Sequence, residues 1–272
     1  MILLIEGHND KRINMIIQTE NIIPNIVFLD MWFEFKPAIL VIIKEKVVVF
    51  DNLQPFQLFQ CHLTKRIIKM TLPDTILKQR IVGVNYGYKF SGTTVICYNT
   101  FHEVRFIVSS KNSDADSFIL NEIIHLDPDI VFIDAPLSLP GVYRHINGYI
   151  DFFFRKCDRE MKATSPMFVG GLTARAMGLK KHLNDLGIPV YETCPRKTLE
   201  VLSLPVNTYK QKRTDLDRML DIFMNKVCIA LNKKIITTWH HFDSLLAFFS
   251  GLRYMSQQSR VFGKADEGLV YV

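Results

Sequence analysis

The chain has 272 residues, 48% of them hydrophobic and 22% charged, with 13 Gly and 11 Pro. That content fills a core and excludes a disordered, collagenous or low-complexity protein; the length suits one large domain, or one of about 190 residues plus a smaller unit. Lys+Arg 33 against Asp+Glu 27 leaves +6, an excess that permits contact with phosphates without demanding it. Cys61, Cys97, Cys157, Cys194 and Cys228 form no CxxC pair, which argues against a zinc ribbon, a thioredoxin motif and a secreted disulfide framework. The start lacks a basic segment followed by a long apolar core, so it makes a poor signal peptide. The longest uncharged apolar run of the first eighty residues, Pro37 to Ile43, falls far short of the ~20 residues of a spanning helix. The chain reads as cytoplasmic, with no membrane role.

Residues 1–80 are rich in Ile, Phe and Val but carry no chemical motif. Pro37–Ile43 and Val47–Phe50 suit short strands separated by Lys44-Glu45-Lys46, and Gln54–Lys69 suits a helix. This N-terminal extension reads either as a small appended domain or as sequence upstream of a true start at Met70.

From Ile81 the pattern sharpens. Ile81–Tyr86, Thr93–Tyr98 and Val104–Val108 are β-branched or alternating runs, the pattern of an antiparallel meander. Asp116–His125 has helical spacing and is broken by Asp127-Pro-Asp129. Asp129–Asp134 is nearly continuous apolar sequence, as in a strand buried on both faces. Helices follow around Asp151–Met161 and over Thr173–Leu186, with Gly187 at the C-terminal cap. Ile188–Glu192 is the next strand, and helices over 214–231 and Phe242–Tyr254 complete an α/β domain.

The chemistry lies in acids at element ends. Asp134 closes a buried strand at its carboxyl end, where ligands of α/β sheets bind, and Pro136 makes a capping role less natural. Glu192 also ends a strand. Asp243 lies near the start of an apolar helix, where the macrodipole alone would favour a carboxylate. Carboxylates arriving from two strand ends and one helix can converge on a divalent cation such as Mg²⁺, and two such ions would serve phosphodiester cleavage. His240-His241 beside Asp243 has no second cluster to complete a zinc site. Lys210-Gln-Lys-Arg213 reads as a solvated loop, with phosphate contact as the alternative.

Several of these segments, taken in order, carry a resemblance. Val82-Gly-Val-Asn-Tyr-Gly87, Phe132-Ile-Asp-Ala-Pro-Leu-Ser-Leu-Pro140, Arg155-Lys-Cys-Asp-Arg-Glu160, Thr173-Ala-Arg-Ala-Met-Gly178, Val190-Tyr-Glu-Thr-Cys-Pro195, Phe242-Asp-Ser-Leu-Leu-Ala247 and Glu267-Gly268 are together similar to the domain of unknown function family 429. Members of that family are described as predicted nucleases with an RNase H fold. The resemblance covers residues 81–272. It implies a mixed five-stranded sheet flanked by helices, with acidic residues on the first strand, the fourth strand and the last helix. These map to Asn85, Asp134 and Asp243 as metal ligands for Mg²⁺ or Mn²⁺, with Asp134, Asp243 and Glu192 as catalytic candidates. Asn85 departs from the pattern, because the family carries Asp there and an amide brings no negative charge. The resemblance also implies that Asp158, Arg159 and Arg175 contact substrate, the two arginines gripping phosphate. Read from the residues alone, Lys156 and Glu160 are an i,i+4 pair on a surface helix, and Cys157 is a small packing residue.

Two functions follow as expectations: a metal-dependent nuclease or phosphodiesterase, impaired to the extent that Asn85 replaces the acid, or a catalytically silent nucleic-acid-binding scaffold. A nucleotide-dependent phosphotransferase ranks last, since only the Gly83–Gly87–Gly92 turn resembles a phosphate loop.

Overall fold

The structure is a computed structural model that describes strands at residues 26–33, 36–43 and 46–51, and residues 79–100, 103–227 and 231–272. The chain divides into two units, Met1–Ile68 and Lys69–Val272. In the first, β1 (Ile26–Phe33), β2 (Lys36–Ile43) and β3 (Lys46–Asp51) form an antiparallel sheet in the order β1-β2-β3. Both short strands expected from the Ile- and Val-rich runs fall within β2 and β3. The helix expected over Gln54–Lys69 lies outside the described residues.

The second unit is α/β. Its mixed sheet contains β4 (Ile81–Asn85), β5 (Val95–Asn99), β6 (Val104–Val108), β7 (Ile130–Asp134), β8 (Val190–Glu192), β9 (Val261–Lys264) and β10 (Gly268–Tyr271). The order is β6-β5-β4-β7-β8-β10-β9. The first three strands form the expected antiparallel meander. Strands β7, β8 and β10 add parallel beyond β4, and β9 closes the far edge antiparallel to β10. The sheet therefore has seven strands where five were expected. The two extra strands come from the last twelve residues, too short a stretch to show a periodicity of its own.

The helices are α1 (Ala115–Leu126), α2 (Lys156–Met161), α3 (Gly170–Asp185), α4 (Pro195–Val201), α5 (Thr214–Val227) and α6 (Trp239–Met255). Helix α2 is shorter than the stretch expected around Asp151–Met161, because Asp151 instead caps a turn, accepting from the N–H groups of Phe153 and Phe154. Helix α1 starts where Asp114 accepts from the N–H groups of Asp116 and Ser117 and ends where Asp127 turns left-handed.

Strand alternation sorts the helices into two layers. Ile81 and Ile130-x-Phe132 pack with α4, α5 and α6 in one core. Val82, Val84, Val131, Ile133 and Val190 pack with α1 and α3 in the other. Side chains alternate across a strand, so Asn85 falls on the face of Ile81 and Gly83, and Asp134 on the face of Phe132. That face is the one α6 covers. Gly83 sets how closely α6 approaches, since a Cβ there would lie 2.1 Å from Phe248 N and 2.5 Å from Ser244 O.

Candidate functional site

Three of the expected residues come together at the carboxyl ends of the central strands. Asn85 and Asp134 are register partners on adjacent parallel strands. Asp243 reaches the same place from the first turns of α6, whose N-terminus is capped by Thr238 accepting from His241 N–H. Asp243 is fully buried among Phe242, Leu245 and Leu246, while Asp134 keeps partial contact with solvent.

A carboxylate buried among apolar side chains needs partners. Asp243 Oδ1 accepts from the Tyr209 hydroxyl, and the Lys210 ammonium lies 2.6 Å from Oδ2 as an ion pair. Oδ2 has no well-aligned hydrogen bond. Burial raises the Asp243 pKa, against the opposing pull of Lys210 and Tyr209. Asp134 accepts no hydrogen bond from the described residues. Its pKa is pushed up to about 7, first by burial, then by the negative charge of Asp243, with Lys210 opposing. For Lys210, burial acts downward but the carboxylates of Asp243 and Asp134 outweigh it, holding the ammonium above its ordinary value. Lys210 is thus a tethered cation serving two acids.

Asn85 has its amide nitrogen committed. Nδ2 donates to Thr93 O at 2.8 Å and faces His240 Nδ1 at 3.2 Å. Because Nδ2 can only donate, His240 Nδ1 must accept, which requires the neutral ring. Burial lowers the His240 pKa and favours that form.

The remaining candidates lie elsewhere. Glu192 follows the face of Val190 rather than that of Tyr191, so it points to the layer of α1 and α3, away from Asp243. There Arg155 donates to both its oxygens at 2.7 Å, and Leu137 N–H donates to Oε2 at 2.8 Å. Asp158 is on the other flank of the same guanidinium, accepting from Arg155 Nε, Nη2 and the backbone N–H. All three side chains are buried. Arg159 is exposed and bound to Asp151, its guanidinium 4.7 Å above the Phe154 ring. Arg175 is paired with Asp116 through two hydrogen bonds of 2.8 Å and reaches Gly87 O at 3.3 Å. Lys156 and Glu160 form the expected i,i+4 pair at 3.5 Å.

The chain matches no family model and no curated protein. No described helix is long and apolar enough to cross a membrane.

Among the described residues, no group of three or more His, Cys, Asp or Glu side chains is arranged to hold a metal ion. Asp134 and Asp243 would fit one Mg²⁺, which binds through one or two carboxylates and substrate oxygens, only with Lys210 displaced from Asp243 Oδ2. They do not suit a pair of ions, because Asn85 brings no charge and Glu192 is bound to Arg155. Sequence reasoning gave Tyr209 and Arg155 no role, and it read Lys210 as part of a solvated loop, where the structure pairs it with the buried Asp243. Tyr209 and Lys210 lie in a polar stretch without periodicity, and Arg155 follows three phenylalanines as an ordinary-looking charge.

Proposed function

We propose that residues 81–272 form an RNase H-like domain, related to the domain of unknown function family 429, that acts on phosphodiesters through Asp134 and Asp243. The observation that carries this reading is the meeting of residues from the first strand, the fourth strand and the last helix of the domain at one sheet end. Asp134 and Asp243 would hold Mg²⁺ or Mn²⁺, which supplies Lewis-acid charge at the reacting phosphate and an acidified water. Tyr209 orients the Asp243 carboxylate, and Lys210 keeps it ionised until substrate and cation arrive. Asn85 fixes the neutral His240 ring beside them. The arginines of the sequence reading would assist only after leaving Asp151 and Asp116.

A second reading, a catalytically silent nucleic-acid-binding protein, draws support from the same pair of features. Asn85 removes a charge from the site, and Lys210 supplies one of the opposite sign. Incubation with labelled single- and double-stranded DNA, RNA and hybrids under Mg²⁺ or Mn²⁺ separates the two. Cleavage by the wild type that disappears in Asp134→Ala supports the enzyme; equal trace cleavage by both proteins overturns it. Salt-dependent binding without turnover, unrescued by Asn85→Asp, establishes the silent form.

A further inference from the structure

The long connection between β7 and α3 starts at Asp134 and carries an unusual surface. Phe152 and Phe153 are each 54% exposed and Phe168 is 67% exposed. Large apolar side chains clustered in water mark an interaction site more often than isolated ones do. The rings here fall into two neighbouring groups, joined through the adjacent positions Phe152 and Phe153. Tyr143 meets Phe152 edge to face at 6.0 Å, and Phe168 contacts both Phe153 and Phe154 at about 6 Å.

Polar bonds hold the backbone of this segment in place. Asp151 Oδ1 accepts from Phe153 N at 2.9 Å and Phe154 N at 3.0 Å, and the Ser165 hydroxyl donates to Phe153 O. Asp151 also binds Arg159, which lies across Phe154. Between Gly141 and Gly170, four cations are exposed: Lys156 is paired with Glu160 and Arg159 with Asp151, while Arg144 and Lys162 have no carboxylate partner among the described residues.

From this we infer that Phe152, Phe153 and Phe168 form a stacking platform for the bases of single-stranded nucleic acid, whose phosphates meet Arg144 and Lys162. Aromatic rings flanked by cations suit unpaired bases, which offer a ring face and a phosphate at each step. A duplex hides its base faces. The inference rests on the reading above only in taking nucleic acid as the ligand; it adds the strandedness and the residues that recognise it.

Binding in EDTA tests it apart from cleavage. The probes are a fluorescein-labelled thymidylate 12-mer, a duplex of equal length and an abasic 12-mer with the same phosphates, each followed by anisotropy with the full chain. The thymidylate strand is expected to bind about tenfold more tightly than the abasic strand, and Phe152→Ala/Phe153→Ala to lose about tenfold or more for it while retaining the wild-type melting temperature. Equal affinity for the abasic strand overturns the inference, as does unchanged binding by the double variant. If the wild type ignores all three probes but sediments with phosphatidylcholine/phosphatidylglycerol (1:1) vesicles, or self-associates through these phenylalanines, the platform serves a membrane or a second copy and the inference fails. Asp134-dependent cleavage alongside unchanged Phe-variant binding would leave the phosphodiesterase reading standing alone. Phe-dependent binding without cleavage under any metal would leave only the platform.

Discussion

Arg155 donates from Nη1 and Nη2 to the two carboxylate oxygens of Glu192, both at 2.7 Å, in a part of the protein closed to water. Asp158 brings a second carboxylate to the same guanidinium, and Ser138 Oγ takes a further Nη1 bond at 2.9 Å. The cluster joins the end of β8, the start of α2 and the loop after β7. Removing the guanidinium leaves two buried carboxylates without compensation, a cost of about 3–5 kcal/mol. Arg155→Met is therefore expected to lower the calorimetric melting temperature by roughly 6–15 °C in a domain of this size. Divalent-cation affinity should change far less than stability, since Arg155 makes no hydrogen bond to Asp134 or Asp243.

Lys210 gives a contrasting case, because its side chain is about half exposed while Asp243 is fully buried. Lys210→Gln is expected to cost about 1–2 kcal/mol, less than a fully buried pair because water screens the ammonium. Urea melts measure this directly. Millimolar MgCl₂ should restore more stability to the variant than it adds to the wild type, since the cation then compensates the same carboxylates.

The protonation of Asp134 ties stability to pH. Its folded pKa of about 7 lies above the ordinary value of 3.8, so between those limits the folded state binds more protons than the unfolded chain. The associated stabilisation is complete below about pH 4 and is lost as pH rises through 7. Asp134→Asn removes this dependence. In metal-free buffer the variant should gain stability over the wild type steadily from about pH 5 to about pH 8, as read by chemical denaturation.

Two glycines predict opposite outcomes from one substitution. Gly83→Ala would place a methyl group 2.1 Å from Phe248 N, against backbone that cannot yield without moving α6. A loss of about 3 kcal/mol or more, or failure to fold, is expected. Gly178→Ala falls within α3 with nothing inside 4 Å, and should add about 0.5–1 kcal/mol through helix propensity. Thermal melts of the two variants distinguish them.

The central strands and the long helices were legible in the sequence because their apolar runs carry a period. Asp134 was legible for the same reason, as a charge ending a run that otherwise excludes charge. The direction of Glu192 was not. Strand β8 has only three residues, Val190–Glu192, so alternation could not be read without knowing which neighbour Val190 packs against. The role of Lys210 was invisible because a flexible four-carbon side chain reaches its partner across 33 positions of sequence, and nothing local marks the pairing. The β9–β10 hairpin was obscured by its own brevity: four residues per strand around Ala265-Asp266-Glu267 resemble an ordinary tail.

The Asn85–Asp134 register also bears on which lengths of strand the site can tolerate. An insertion of one residue within β4 would turn the amide to the layer of α1 and α3 while leaving a sheet of similar composition. An insertion of two would restore the face but carry the amide about 6.6 Å along the strand, beyond reach of its partner. The site is therefore sensitive to insertions and deletions in its strands as well as to substitutions at its own residues. A chain that keeps the spacing from Ile81 to Asn85 and from Ile130 to Asp134 places an acid beside Asp134 by a single change at position 85.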